Sequence, residues 1–264
     1  MSTSAIAEGV HSVLGPSSSA RWLNCLGSTQ LIKLLDVANE ESEYSAYGTV
    51  AHTVSDWCRK QDCSAVRFLG KTFTIGGIGV VVDDEMVRIV NDFCEYVNTL
   101  PGFPMYETMV RYTDYVPNGF GTMDDARIQD GLCYVTDFKT GKGIVVHAED
   151  NSQLKLYSVG LYHDYKHLWH FDRFILTIHQ TSRNYISTWE TNLTELLRWA
   201  QTEVRWRAKK ALSGKGQLTA GPWCQKALCP LRKTCETHLA WKAEQARAEV
   251  NMAAEFNNLD VEEA

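Results

Sequence analysis

The distribution of apolar and polar residues predicts a mixed α/β fold, α+β in its order of elements, with one sheet flanked by helices. The run Tyr106-Glu-Thr-Met-Val-Arg111 alternates with the period of two that a half-buried strand requires. Val50, Val54 and Trp57 recur at helical spacing, and Asp130-Gly131 is a two-residue hairpin signal between apolar runs. With 264 residues and 44% hydrophobic content, the chain can bury a substantial core without splitting.

Taken in order, residues 28–39 read as a helix, followed by a second helix opened by Gly48-Thr-Val-Ala-His52 and running through Cys58. Residues 63–79, rich in glycine, read as turns. A helix over 84–100 leads into three strands, 106–115, 120–128 and 132–139, the last two joined at Asp130-Gly131. A helix carrying Gln153 and Tyr157 follows, then strands over 171–179 and 185–190, a long basic helix over 191–212 and a cysteine loop. From Glu236 the chain reads as helix to about Phe256, and residues 236–264 carry seven acids against two bases. Residues 1–235 are therefore expected to form one domain that includes the cysteine loop, and 236–264 an acidic helical tail.

The chemistry concentrates in Gly121-Thr-Met-Asp124 and Val135-Thr-Asp137-Phe-Lys139-Thr-Gly141. A strand sends alternate side chains to one face, so Asp137 and Lys139 sit side by side while Phe138 points into apolar packing. Two carboxylates from neighbouring strands suit a hard divalent cation, Mg²⁺ or Mn²⁺, and leave coordination positions for water and a phosphate oxygen. Lys139 can steady the attacking water or the developing charge, and His52 can complete the metal shell. Gln153 and Tyr157, at i and i+4, project together from a helix face and suit a phosphate or a base. Each piece taken singly is commonplace: a solvated edge strand, a packing histidine, an amphipathic helix edge.

In this order the four motifs, G-x-x-x-H, G-x-x-D, D-x-K and Q-x-x-x-Y, resemble the RecB-type branch of the PD-(D/E)XK nuclease superfamily. The stretch from Pro16-Ser-Ser-Ser-Ala-Arg-Trp-Leu-Asn-Cys25 through Gln153 is similar to phage and prophage stand-alone nucleases related to the CRISPR adaptation exonucleases. The resemblance implies a restriction-endonuclease-like core sheet. It implies His52, Asp124, Asp137 and the Phe138 carbonyl as ligands of Mg²⁺ or Mn²⁺, Lys139 as catalytic lysine, Glu107 as an acidic residue at the start of the core sheet, and Gln153 with Tyr157 on the DNA side. The activity implied is a deoxyribonuclease, an exonuclease acting on DNA ends in phage recombination or genome processing.

Cys224, Cys229 and Cys235 form a C-x4-C-x5-C cluster, and Cys25 stands apart near the N-terminus. Three clustered thiolates need a fourth ligand, and four can hold either an iron-sulfur cubane or zinc. The one-plus-three layout favours a 4Fe-4S cluster and resembles the iron-sulfur nucleases of the same branch, in which the cysteines clamp the two ends of the core together. Those relatives place two residues between the first pair, where this chain has four. Cys58, Cys63, Cys94 and Cys133 read as packing cysteines.

No stretch approaches bilayer-spanning length and the N-terminus has no basic-then-apolar signal pattern, so a cytoplasmic protein is expected, in the host cytoplasm if phage-encoded, with no membrane partner. The net charge is -6, yet between Arg198 and Lys233 nine basic residues face one acid, a phosphate-attracting band interleaved with Trp199, Trp206 and Trp223. DNA is the expected partner, single-stranded or as a duplex with an end; a recombination partner protein and homo-oligomerisation stay open. Gly70-Lys-Thr72 is not a nucleotide loop, because Ala65 stands where the first glycine belongs, and Gly76-Gly-Ile-Gly79 is a turn. His163 and His167 have i, i+4 spacing, but Asp164 replaces the longer Glu of a zinc-protease pattern. The alternatives are a non-catalytic DNA-end-binding accessory protein and a nuclease subunit that depends on a helicase or annealing partner.

Overall fold

The computed structural model describes residues 4–5, 12–37, 42–226 and 229–262. The strands are β1 (Ser4–Ala5), β2 (Thr72–Ile75), β3 (Ile78–Val81), β4 (Phe103–Arg111), β5 (Phe120–Ile128), β6 (Gly131–Lys139), β7 (Phe171–Gln180) and β8 (Tyr185–Asn192). The helices are α1 (Ser19–Asn24), α2 (Ser28–Leu34), α3 (Glu43–Gln61), α4 (Asp84–Thr99), α5 (Ser152–Tyr165), α6 (Leu193–Trp199), α7 (Arg205–Leu212), α8 (Trp223–Lys226) and α9 (Glu236–Glu262). Five strands form one mixed sheet in the order β4-β5-β6-β7-β8, antiparallel except for the parallel β6–β7 pair, which α5 connects. The α/β mixed sheet flanked by helices that the sequence predicts is thus the observed architecture. No helix among the described residues is long and apolar enough to cross a membrane.

The sheet separates two apolar cores. On one face α1, α5, α6 and α7 pack around Trp22, Leu154, Leu156, Phe174 and Leu176. On the other, α3, α4 and the β2–β3 hairpin bury Val50, Val54, Met86, Ile89 and Phe93 against Phe138. Alternation along β6 explains the split, since Val135 belongs to the first core and Phe138 to the second. Side-chain caps set the helix starts: Ser42 accepts from Ser45 N for α3, Asp83 from Met86 N for α4, and Asn151 from Gln153 N and Leu154 N for α5.

Several expected boundaries move. The turn-rich stretch, 63–79, contains a 3-10 turn at Ala65–Phe68 and the β2–β3 hairpin, whose Gly76 and Gly77 both take positive φ, 53° and 83°. Glycine supplies that geometry without a Cβ penalty, and strands of only four residues show too little alternation to read in advance. The helix expected over 28–39 ends at Leu34, and residues 38–39 of that expectation lie outside the described residues. The strand expected at 106–115 runs Phe103–Arg111, and the basic helix over 191–212 is broken by a π-helical turn, Ala200–Val204, between α6 and α7.

Candidate metal centre

The site opens where strand pairing fails. The β4–β5 ladder pairs Tyr106 with Asp125 and Thr108 with Met123, skipping Glu107 and Asp124. The β5–β6 ladder ends at Asp125 with Thr136, so beyond it the two strands part at Asp124. There the Asp124 carboxylate replaces the missing ladder bond, accepting from the Phe138 N–H at 2.7 Å. Glu107 has φ +40°, a left-handed value that disfavours a residue with a Cβ and is tolerated where the surroundings fix it. This local kink is what turns its carboxylate toward Asp124.

Helix α3 supplies the histidine. Gly48, one turn earlier, lets the helix lie close to the end of β6, since a Cβ there would sit 3.3 Å from Thr140 Oγ1. His52 Nδ1 then lies 2.9 Å from Asp124 Oδ1 and 4.0 Å from Glu107 Oε1, with its ring against Phe138 at 5.1 Å. Ligand atoms of His52, Glu107 and Asp124 all fall within 4.8 Å of one another, and among the described residues no other set of three such side chains closes to that distance.

Asp137 and Lys139 share a face of β6, as their spacing predicts, with Lys139 Nζ 2.9 Å from Asp137 Oδ2. Gln153 knits this pair into α5. Its Nε2 donates to Asp137 Oδ1 at 2.7 Å and to the Tyr157 hydroxyl at 3.1 Å, and its Oε1 accepts from Lys139 at 3.1 Å. Gln153 therefore orients the acid and the amine, and Tyr157 is buried behind it. The glycine of the G-x-x-D motif has its own reason: a Cβ on Gly121 would meet Pro16 Cγ at 2.4 Å and Tyr157 Cε1 at 3.2 Å.

Electrostatics follow from two buried acids, Asp124 and Asp137, and the half-buried Glu107 beside them. Burial opposes charge on His52, but the adjacent Asp124 carboxylate prevails and raises its pKa to about 9. Burial and the Asp124 charge together push Glu107 up to about 8. Burial likewise opposes charge on Asp124, yet His52 and the Phe138 N–H hold it below its ordinary value. Asp137 is raised by burial, with Lys139 opposing. Burial works against the Lys139 ammonium, and Asp137 more than compensates. One proton-laden side, His52 and Glu107, thus faces one ionised acid.

Sequence reasoning missed the buried support beneath these groups. Arg59, seven residues after His52 and so on the same face of α3, donates to the Asp124 carbonyl at 2.8 Å and reaches Asp125 Oδ1 at 3.3 Å and Glu107 Oε1 at 3.7 Å. Its guanidinium lies over the Phe93 and Tyr106 rings. Arg127 completes the buried cluster by pairing with Asp125 at 3.1 Å. The two-turn offset from His52 is the signal that could have found Arg59.

The cysteines of the one-plus-three pattern are drawn toward one region. Thr219 N donates to Cys25 Sγ at 3.4 Å, and the thiols of Cys25, Cys229 and Cys235 all act electrostatically on Cys224, whose pKa burial raises. They do not approach to single-ion distance, since a tetrahedral zinc site holds its sulfurs about 3.8 Å apart. Of the basic band, Arg205 and Arg207 are partly committed inward, donating to the Asp114 and Leu23 carbonyls, and Trp199 lies under Lys155 at 4.0 Å. His163 pairs with Asp164 at 2.8 Å at the end of α5, and His167 lies beyond that helix.

Residues 11–264 match a family model described as "Protein of unknown function (DUF2800)". Among solved structures, the chain is similar to the crystal structure of a "Putative exonuclease" from Eubacterium rectale, at 11% identity, 76% coverage of this chain, 80% of that one and a TM-score of 0.43.

Proposed function

The chain belongs to the DUF2800 family, and we propose that it is a divalent-metal-dependent deoxyribonuclease that hydrolyses phosphodiester bonds at DNA ends. The observation that carries the reading is the convergence of His52, Glu107 and Asp124 beside the Asp137–Lys139 pair at the parting of β5 and β6. The donor set fits a hard cation, with carboxylate oxygens and one imidazole. Glu107 Oε1 is buried without a hydrogen-bond partner among the described residues, which leaves it free as a ligand.

His52, Glu107, Asp124 and Asp137, with the Phe138 carbonyl, would hold Mg²⁺ or Mn²⁺, which supplies a Lewis acid for the phosphoryl oxygen and a more acidic water. The protein's own part is orientation and charge. Lys139 keeps its proton at Nζ and can donate it as a hydrogen bond to the attacking water or to a non-bridging phosphate oxygen. Gln153 orients the Asp137–Lys139 ion pair by donating to the other oxygen of the acid and accepting from the amine. Arg59 fixes the Asp124 backbone, so the ligand oxygens cannot swing away. A second group, a 4Fe-4S cluster with zinc as the alternative, is proposed on Cys25, Cys224, Cys229 and Cys235 from their one-plus-three spacing in the sequence. It would tie α1 to the C-terminal segment.

Anaerobically purified protein, incubated with Mn²⁺ and end-labelled DNA beside the Lys139→Ala variant, tests both parts. Iron content with broad absorption near about 400 nm, and cleavage lost in the variant, are expected. DNA bound but never cut with any divalent metal would replace the nuclease with a non-catalytic end-binding protein.

A further inference from the structure

The loop that follows Lys139 is held in an unusual way. Five successive carbonyls are taken by side chains from one short segment, residues 180–183, at the end of β7. Ser182 donates to Thr140 O at 2.7 Å, Gln180 Nε2 to Gly141 O at 2.6 Å and Ile144 O at 3.2 Å, and Arg183 Nη1 to Lys142 O at 2.6 Å and Gly143 O at 2.8 Å. Gln180 is only 2% exposed, and its remaining Oε1 accepts from Val146 N. All five carbonyls thereby have a donor. The amides of Gly141, Lys142, Gly143 and Ile144, by contrast, have no acceptor among the described residues, and all four residues are exposed.

The two glycines are not needed by the fold. Neither has positive φ, and a Cβ added to either would meet nothing within 4 Å. Glycine that satisfies neither a backbone nor a packing demand leaves the backbone bare for close approach from outside. Open amides, carbonyls already paired, and the ammonium of Lys142 on the same loop make a surface for an anion. Lys142 pairs at 2.6 Å with Glu85, but both side chains are exposed, so solvent weakens that pair and a phosphate can compete for the ammonium.

We infer that the loop 141–144 is a second phosphate subsite, which seats a backbone phosphate of the nucleic-acid strand next to the phosphodiester held at Asp137. This rests on the nuclease reading above and adds to it where the strand runs: from the parting of β5 and β6 across the end of β6 toward the β7–β8 turn.

The test is the affinity of a 5′-fluorescein-labelled single-stranded DNA 20-mer, measured by anisotropy in EDTA over a salt series, for wild type, the double variant Gly141→Ala/Gly143→Ala and Lys142→Ala. The double variant should melt as wild type does, since both methyls enter open space, and bind about tenfold more weakly through loss of one amide–phosphate contact. Lys142→Ala should lower the slope of log K against log salt by about 0.7, one single-strand phosphate contact. Wild-type affinity in a normally melting double variant overturns the subsite. If the double variant melts lower, Lys142→Ala decides, because that exposed side chain can be lost without unfolding, and an unchanged salt slope then overturns it. Wild type that cuts DNA while the loop variants bind normally removes this inference alone, whereas wild type that neither binds nor cuts DNA removes the nuclease reading with it.

Discussion

His179 should make the protein acid-sensitive in a defined window. It lies on β7, 6% exposed, with the Phe93 ring at 6.0 Å, the Tyr96 ring edge-on at 4.9 Å and no hydrogen-bond partner for Nδ1 among the described residues. Burial lowers its pKa from 6.5 to about 4, against a small opposing pull from Asp92. Because the folded value is depressed, the unfolded chain takes up the proton first as pH falls. The contribution to stability is therefore complete above about pH 6.5 and is lost progressively down to about pH 4. At about 1.4 kcal/mol per unit, the loss amounts to about 3 kcal/mol over the window and is mostly realised by pH 4.5. Urea unfolding of wild type and His179→Phe at pH 7.5 and 4.5 isolates it, since carboxylates common to both proteins cancel in the difference. Phe fits the aromatic surroundings and cannot titrate, so the variant should gain about 2–3 kcal/mol on wild type between the two pH values. A difference that is the same at both would show that His179 is protonated in the fold or already reached by water.

Three further outcomes follow from the site. Gly121→Ala drives a methyl to 2.4 Å from Pro16 Cγ, an overpacking cost of about 1–3 kcal/mol that calorimetry should register as a lower Tm; an unchanged Tm would mean that Pro16 yields freely. Gln153→Leu removes the bonds that hold Asp137 and Lys139, and should cut the rate of metal-dependent DNA cleavage by about 10–100-fold, as loss of an outer-shell partner does; a wild-type rate would refute its orienting role. With the pKa of His52 raised to about 9 and that of Glu107 to about 8, metal must displace protons, so Mn²⁺ affinity by titration calorimetry should rise from pH 6.5 to 8.5 with proton release. Affinity that is flat across that range would remove both residues from the ligand set.

How far the site could be read beforehand depended on the range of the signal. Asp137 with Lys139, and Gln153 with Tyr157, are placed by periodicity within one strand or one helix, and the structure brings both pairs together as that periodicity requires. Gly48 and His52 are equally local. Glu107 is different: its position depends on a φ of +40° and on a skipped register, neither of which leaves a mark in the amino-acid pattern. The same holds for the π-helical turn at Ala200–Val204, a shift in backbone bonding inside a run that is helical by composition. Arg59 was hidden for another reason. A basic residue late in an amphipathic helix reads as solvated, and only tertiary packing between two aromatic rings turns it inward.

The ties between α1–α2 and the C-terminal third have a consequence for how the chain reaches its fold. Gly27 N bonds to Gln217 O, Gln30 to Leu212 O, Arg207 to Leu23 O and Thr219 to Asn24 O, each closing a loop of more than 180 residues. Their entropic cost falls due only after the intervening sheet has formed. During synthesis, the first two helices must wait for residue 219 to leave the ribosome before their carbonyls and amides find partners. Until then Pro16, the neighbour that Gly121 was shaped to receive, is held only from the sheet side, by the Tyr112 hydroxyl on Leu14 O and by Ser19 against Ser152. A product cut short before α7 would therefore carry every ligand of the proposed metal centre and lack only the outer brace that the C-terminal third lays across α1 and α2.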